Sequence, residues 1–202
     1  RSMDVHSSKI IQESDNDSFF IMQVLKIGSS SCLTFYDRGA NLNLISGELA
    51  EKENLQVLTQ RPGTLTVAGG SEVGTEYGQY RTVLGPTESG DYIQVTCQGM
   101  TRVTATFNKY PLDEVNKELQ NTSPFRFDSP LPEYVGGSQV QLLLGIKDVS
   151  LDPILLFIIP SGLGVYKSPF IDIFGSRIAY GGPHQVFTQI NTAKGAQAHS
   201  VM

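Results

Sequence analysis

The sequence predicts an all-β protein, and three observations carry that expectation. The 202 residues include 20 glycines and 10 prolines, placed so that they cut the chain into short apolar runs. Those runs are rich in Val, Ile, Leu, Phe, Tyr and Thr and bounded by Gly, Pro, Asn, Asp and Ser, the pattern of strands joined by turns. Helix signals are confined to two short stretches. With 40% apolar and 17% charged residues the chain has the composition of one or at most two packed domains.

Taken in order, Phe19 to Ile27 reads as a strand closed by Gly28, and Ser31 to Tyr36 as a second strand that completes a hairpin and runs into Asp37-Arg38-Gly39-Ala40. Ser46 followed by Gly47-Glu48-Leu49-Ala50-Glu51-Lys52-Glu53 supplies a capping hydroxyl and a good helix former, which predicts a short helix over Gly47 to Glu53. From Thr64 the chain reads as a hairpin with a glycine tip, Val67-Ala68-Gly69-Gly70, whose second arm carries Tyr77, Tyr80 and Val83. Ile93 to Cys97 and Met100 to Phe107 read as further strands.

Between residues 108 and 138 the character changes. A helical stretch, Asp113 to Leu119, is followed by Pro124, Pro130 and Pro132, and the whole segment reads as an insertion. Val140 to Ile146 resumes the core with Gly145 inside it, and Ile154 to Ile159 reads as a strand that is either fully buried or at an interface. Arg1-Ser2-Met3 reads as an expression remnant, residues 1–17 as a loose leader, 18–190 as one domain and 191–202 as a loose tail.

Charge narrows the function classes. The net charge is -5 and the 15 Lys and Arg are scattered, which argues against nucleic-acid binding, because phosphate contacts need clustered cations. No apolar run reaches the ~18 residues of a membrane span. Cys32 and Cys97 sit inside strand-like runs, as reduced core thiols do, which predicts a reducing compartment, the cytoplasm or an intracellular particle.

Residue types restrict the candidate chemistry. His6, His184 and His199 lie far apart and neither cysteine has a partner at metal-ligand spacing, so no metal and no cofactor are expected. Gly-x-Ser-x-Gly is absent, and the Gly69-Gly70 and Gly181-Gly182 pairs do not open a phosphate-binding helix. What remains is Asp37, a carboxylate on a glycine turn at the end of the apolar strand Leu33-Thr34-Phe35-Tyr36. Read alone, such an aspartate is first an ordinary turn residue that bonds its own backbone.

Three runs in order give that turn a context: Leu33 to Asn41, the hairpin around Val67 to Gly74, and Leu142-Leu143-Leu144-Gly145-Ile146. Together they resemble the active-site turn, flap and hydrophobic-hydrophobic-Gly run of a retropepsin-like aspartic peptidase, with the flavour of BEL/Pao-type retrotransposon polyproteins. The resemblance covers roughly residues 19–107 and 140–190. It implies a closed β-barrel with a flap hairpin and one or two short helices, Asp37 as the catalytic residue, and Arg38, Gly39 and Ala40 completing its turn. Val67, Ala68, Gly69 and Gly70 would cover the substrate, and Leu143, Leu144 and Gly145 would pack beneath the turn. Only one Asp-x-Gly turn is present, so the resemblance also implies a homodimer acting on a polypeptide, its own polyprotein, with Asp37 and its symmetry mate sharing a proton as carboxylates about 3 Å apart do.

Arg38 departs from the family pattern, which places Ser or Thr there to bond across the dimer axis. A guanidinium near the dyad would favour ionised Asp37 and oppose the shared proton. Three expectations follow: Arg38 turns outward onto a carboxylate such as Glu48 or Glu51; the domain is a silent relative used for dimerisation or peptide binding; or Arg38 holds the subunit apart until a larger polyprotein assembles. A plain β interaction module without a family link is the remaining alternative.

Overall fold

The computed structural model describes residues 19–60, 63–66, 72–104, 117, 121, 139–145, 149–160, 162–172 and 175–183. The protein is all-β. β1 (Phe19–Ile27) and β2 (Ser30–Asp37) form the first hairpin, paired from Ile21 opposite Tyr36 to Ile27 opposite Ser30. Gly28 turns it with φ of +58°, a conformation glycine adopts without steric cost.

Behind that turn lies Glu53, which caps the C-terminus of α1 (Gly47–Lys52). Its carboxylate accepts the Ser29 N–H at 2.7 Å and the hydroxyls of Ser29 and Ser30. The Ser30 hydroxyl first, and then the Ser29 amide, hold the Glu53 carboxyl below its ordinary value of 4.5. A lowered folded-state pKa means that the contribution is present above the unfolded pKa and is lost as pH falls through the folded one. Glu53→Ala should therefore destabilise the domain at neutral pH and converge on the wild type in acid. Urea midpoints measured down the acid range check this, and a gap that persists in acid would assign the loss to something other than the carboxylate.

The remaining strands are β3 (Asn43–Ser46), β4 (Gln56–Thr59), β5 (Thr64–Thr66), β6 (Glu72–Gly74), β7 (Gln79–Leu84), β8 (Ile93–Met100), β9 (Leu142–Gly145), β10 (Ile154–Ile158), β11 (Gly164–Lys167) and β12 (Ile178–Pro183). A 3-10 turn, Val149–Leu151, precedes β10. Ten strands form one sheet in the order β10-β11-β12-β1-β2-β9-β3-β8-β7-β4, and β5-β6 form a separate pair. The centre of the large sheet is the unusual part. β9 lies between β2, to which it is parallel, and β3, to which it is antiparallel, while β3 runs parallel to β8.

This arrangement buries the central strands on both faces. Successive strand residues point to opposite sides, so Cys32, Tyr36, Leu142 and Leu144 enter one core with Ile21, Leu25 and Ile45, while Leu33, Phe35 and Leu143 enter another with Met22, Val165 and Tyr180. The near-continuous apolar text of β2 and β9 follows from that double burial. Helix α1 forms where its cap predicts, with the Ser46 hydroxyl accepting the Leu49 N–H and Leu49 and Ala50 buried. Among the described residues no helix is long and apolar enough to cross a membrane.

Several expectations are corrected. A closed barrel is not found: β10 and β4 end the sheet order without pairing to each other, although the sheet curls enough to bring β1 against β7. The second arm of the Thr64 hairpin stops at Gly74, because the Thr75–Gly78 segment turns the chain away and Tyr80 and Val83 belong to β7, paired with β8. A single strand, β8, runs through Cys97 to Met100, and residues 101–104 form no strand. Of the two readings of Ile154 to Ile159, full burial is excluded for Ile154–Ile158, although Ile159 is buried. β10 is an edge strand with Ile154 66% and Ile158 62% exposed. The insertion at 108–138, with its expected Asp113–Leu119 helix, lies outside the described residues except for Lys117 and Asn121, both helical. Residues 1–17 and 191–202 lie outside as well.

Candidate active site

Asp37 is the last residue of β2, half-buried, and the chain leaves the sheet immediately after it. The Gly39 N–H donates to Asp37 Oδ1 at 2.8 Å, and the Ala40 N–H donates to the Asp37 carbonyl at 3.3 Å. The turn thus holds one carboxylate oxygen by a backbone donor. Among the described residues nothing engages Oδ2. Arg38 and Gly39 are exposed and Ala40 is half-buried, so the turn stands at the surface.

What fixes the turn lies across the sheet. The parallel pairing of β2 with β9 sets Phe35 opposite Leu143, Tyr36 opposite Leu144 and Asp37 opposite Gly145. Position 145 must lack a side chain: a Cβ there would meet the Ala40 carbonyl at 2.8 Å and the Leu42 nitrogen at 2.9 Å, the backbone that follows Asp37. The Gly145 N–H donates to Asn43 Oδ1 at 3.0 Å, and Asn43 Nδ2 donates to the Thr96 carbonyl at 3.1 Å. One amide side chain therefore joins the far end of the turn, β9 and β8.

Beneath the turn a buried polar network anchors the end of β2. The Tyr36 hydroxyl donates to Gln23 Oε1 at 2.7 Å and lies 3.0 Å from Ser168 Oγ. Gln23 Nε2 donates to the Phe170 carbonyl, and the Phe170 N–H donates to Ser168 Oγ. Burial pushes the Tyr36 phenol up, so it stays a neutral donor. Satisfied buried networks of this kind specify one arrangement, because every alternative leaves a group unpaired.

Arg38 turns onto Asp152, not onto Glu48 or Glu51. Its Nε donates to both Asp152 oxygens, at 2.9 and 3.1 Å, and its Nη2 donates to the Pro153 carbonyl at 3.2 Å. The guanidinium is committed to a carboxylate, as the outward-turning expectation required, but its partner comes from the segment that leads into β10.

Other candidate chemistries find no support in these residues. Both cysteines are free and buried, and burial pushes Cys32 up to about 12 and Cys97 up to about 11, so neither is a thiolate nucleophile at neutral pH. Among the described residues no three His, Cys, Asp or Glu side chains group to hold a metal ion. All three histidines lie outside the described residues.

The structure thus brings together Asp37, Arg38, Gly39, Ala40, Leu143, Leu144 and Gly145. Val67, Ala68, Gly69 and Gly70 lie outside the described residues; the arms that lead to them pair Thr64 with Gly74, Leu65 with Val73 and Thr66 with Glu72. The root of that hairpin is tied down. Thr75 Oγ1 accepts the Gly63 N–H, and Gln98 Nε2 on β8 donates to the same Thr75 oxygen and to the Tyr77 and Gly78 carbonyls.

Sequence reading missed Asn43 and Asp152. Asn43 had one usable signal, a polar amide opening an apolar strand just past a turn. Asp152 had none, since its partner is distant in sequence. No protein-family model, no curated protein and no solved structure matches the chain.

Proposed function

We propose that this chain is one half of an aspartic endopeptidase of a retroelement-type polyprotein, active as a homodimer on polypeptide substrates. One observation carries the reading: Asp37 and Gly145, the key residues of two separate runs that resemble the retropepsin pattern, are register partners on adjacent parallel strands. The Gly39 N–H on Asp37 Oδ1 supports it further, because it fixes the carboxylate's orientation without neutralising it.

The chemistry follows from a pair of such carboxylates. Across a two-fold axis, one ionised Asp37 takes a proton from water while the protonated copy donates a hydrogen bond to the scissile carbonyl, since two adjacent carboxylates do not both ionise at low cost. The water oxygen bonds to the carbonyl carbon, the C–N bond breaks, and the amine leaves with a proton from the dyad. The hairpin that carries Val67, Ala68, Gly69 and Gly70 covers the substrate in this reading.

Digestion of a peptide library in heavy-oxygen water, from about pH 4 to about pH 8, tests it. The expected result is one heavy oxygen in each new carboxyl group and inhibition by a pepstatin-like hydroxyl mimic. No cleavage anywhere in that range would replace this reading with a domain used for dimerisation or peptide binding.

A further inference from the structure

The Arg38–Asp152 pair joins the turn that carries Asp37 to the segment that opens the edge strand β10. Asp152 and Pro153 immediately precede Ile154, and Arg38 holds both, the first by its side chain and the second by its carbonyl. Tyr166 of β11 is buried, and its phenol is raised by that burial, lowered by Arg38 and raised by Asp152. Tyr166 is in turn the register partner of Leu155 on β10. The turn, the salt bridge and the first residues of β10 form one connected unit.

We propose that Arg38 is a positioning residue that ties the Asp37 turn to the root of β10, so that the docking of β10 and the placement of the carboxylate are a single event. The inference rests on the peptidase reading only for its effect on turnover; the mechanical link stands on the contacts themselves. The link is within one chain, unlike the cross-axis bond for which the resembling family uses a small hydroxyl at the same position. A planar guanidinium suits it, because Nε and Nη2 project together and satisfy a carboxylate and a neighbouring carbonyl at once. Lysine would offer a point charge without that fork.

Half of the Arg38 side chain is in solvent, 53% exposed against 26% for Asp152, so the pair contributes little to global stability. Variants should therefore fold normally and differ locally. Asp152→Asn and Arg38→Ser are each expected to speed amide exchange at Gly39 and Ala40 by about fivefold, the factor that about 1 kcal/mol represents. Each should lower kcat with KM nearly unchanged, and the double variant should be no worse than either single one, because one link is removed only once. Arg38→Lys should recover part of the exchange protection.

Exchange unchanged in the single variants, or losses that add in the double variant, would overturn the link. If the exchange effects appear without additivity while the wild type cleaves nothing, the link is upheld and the peptidase reading falls. Exchange is read in the full 202-residue chain, and kcat and KM on the library peptide that the wild type cuts fastest.

Discussion

Asp37→Asn is expected to abolish peptide cleavage while leaving the domain folded. The amide matches the carboxylate in shape, and its oxygen can still accept the Gly39 N–H that sets the turn. The stacked strands below, with Tyr36 opposite Leu144, are untouched. What is lost is the only group of the turn that can take a proton from water. General acid-base catalysis contributes about 10²–10⁴ in rate, and because a homodimer loses both copies, a fall of at least about 10³ is expected. Rates on the best library peptide, beside urea unfolding of both proteins, check it. Hydrolysis retained within tenfold in a folded variant would remove Asp37 from the mechanism, whereas a variant that unfolds would show that its charge, and not only its shape, holds the turn.

The parts of this fold that were legible in the sequence are those whose signal is local. The bounds of β1 and its glycine turn follow from one apolar run ending in Gly28, and α1 follows from Ser46 and the helix formers behind it. Asp37 stood out because a carboxylate ended an apolar strand on a glycine turn. Gly145 stood out because a glycine interrupts the run of leucines before it. The reason for that glycine, the backbone of the incoming loop at Ala40 and Leu42, is a contact between distant parts of the chain and leaves no local trace.

The failures share a cause. Partnerships such as Arg38 with Asp152 or Asn43 with Gly145 depend on which strands lie side by side, and periodicity reports faces, not neighbours. Ile93 to Cys97 and Met100 to Phe107 read as two strands, yet Gln98 is buried and turns its amide onto the Tyr77 and Gly78 carbonyls, so β8 continues to Met100. The run Ile154 to Ile159 was harder still. An unbroken apolar strand can be buried on both faces within one chain or wait at an edge for another, and its text is the same in both cases. Its place at the end of the sheet decides the matter, and that place is set by β11 and β12 pairing back onto β1.

β10 is where the second copy is expected to dock, and Ile158→Glu should separate the two. The strand reads Ile-Leu-Leu-Phe-Ile, without a charge, and among the described residues only one of its edges is paired to a strand, β11. An exposed apolar edge is a template for another strand, and native proteins protect such edges with charge or proline unless they are used. The strand is also nearly its own complement. If two copies pair antiparallel about Leu156, each Ile154 meets the partner's Ile158, as a two-fold interface requires. Glutamate at position 158 places a carboxylate against Ile154 twice per dimer, and burying those charges without a partner should weaken association by at least about 100-fold, near 2.7 kcal/mol. The isolated chain should be unharmed, since Ile158 is 62% exposed. Sedimentation across a concentration series should show a wild-type dimer and a variant monomer, with cleavage falling in step with the dimer fraction. A variant that remains dimeric would move the interface away from β10, and a wild type that stays monomeric even with a peptide inhibitor bound would end the two-chain mechanism.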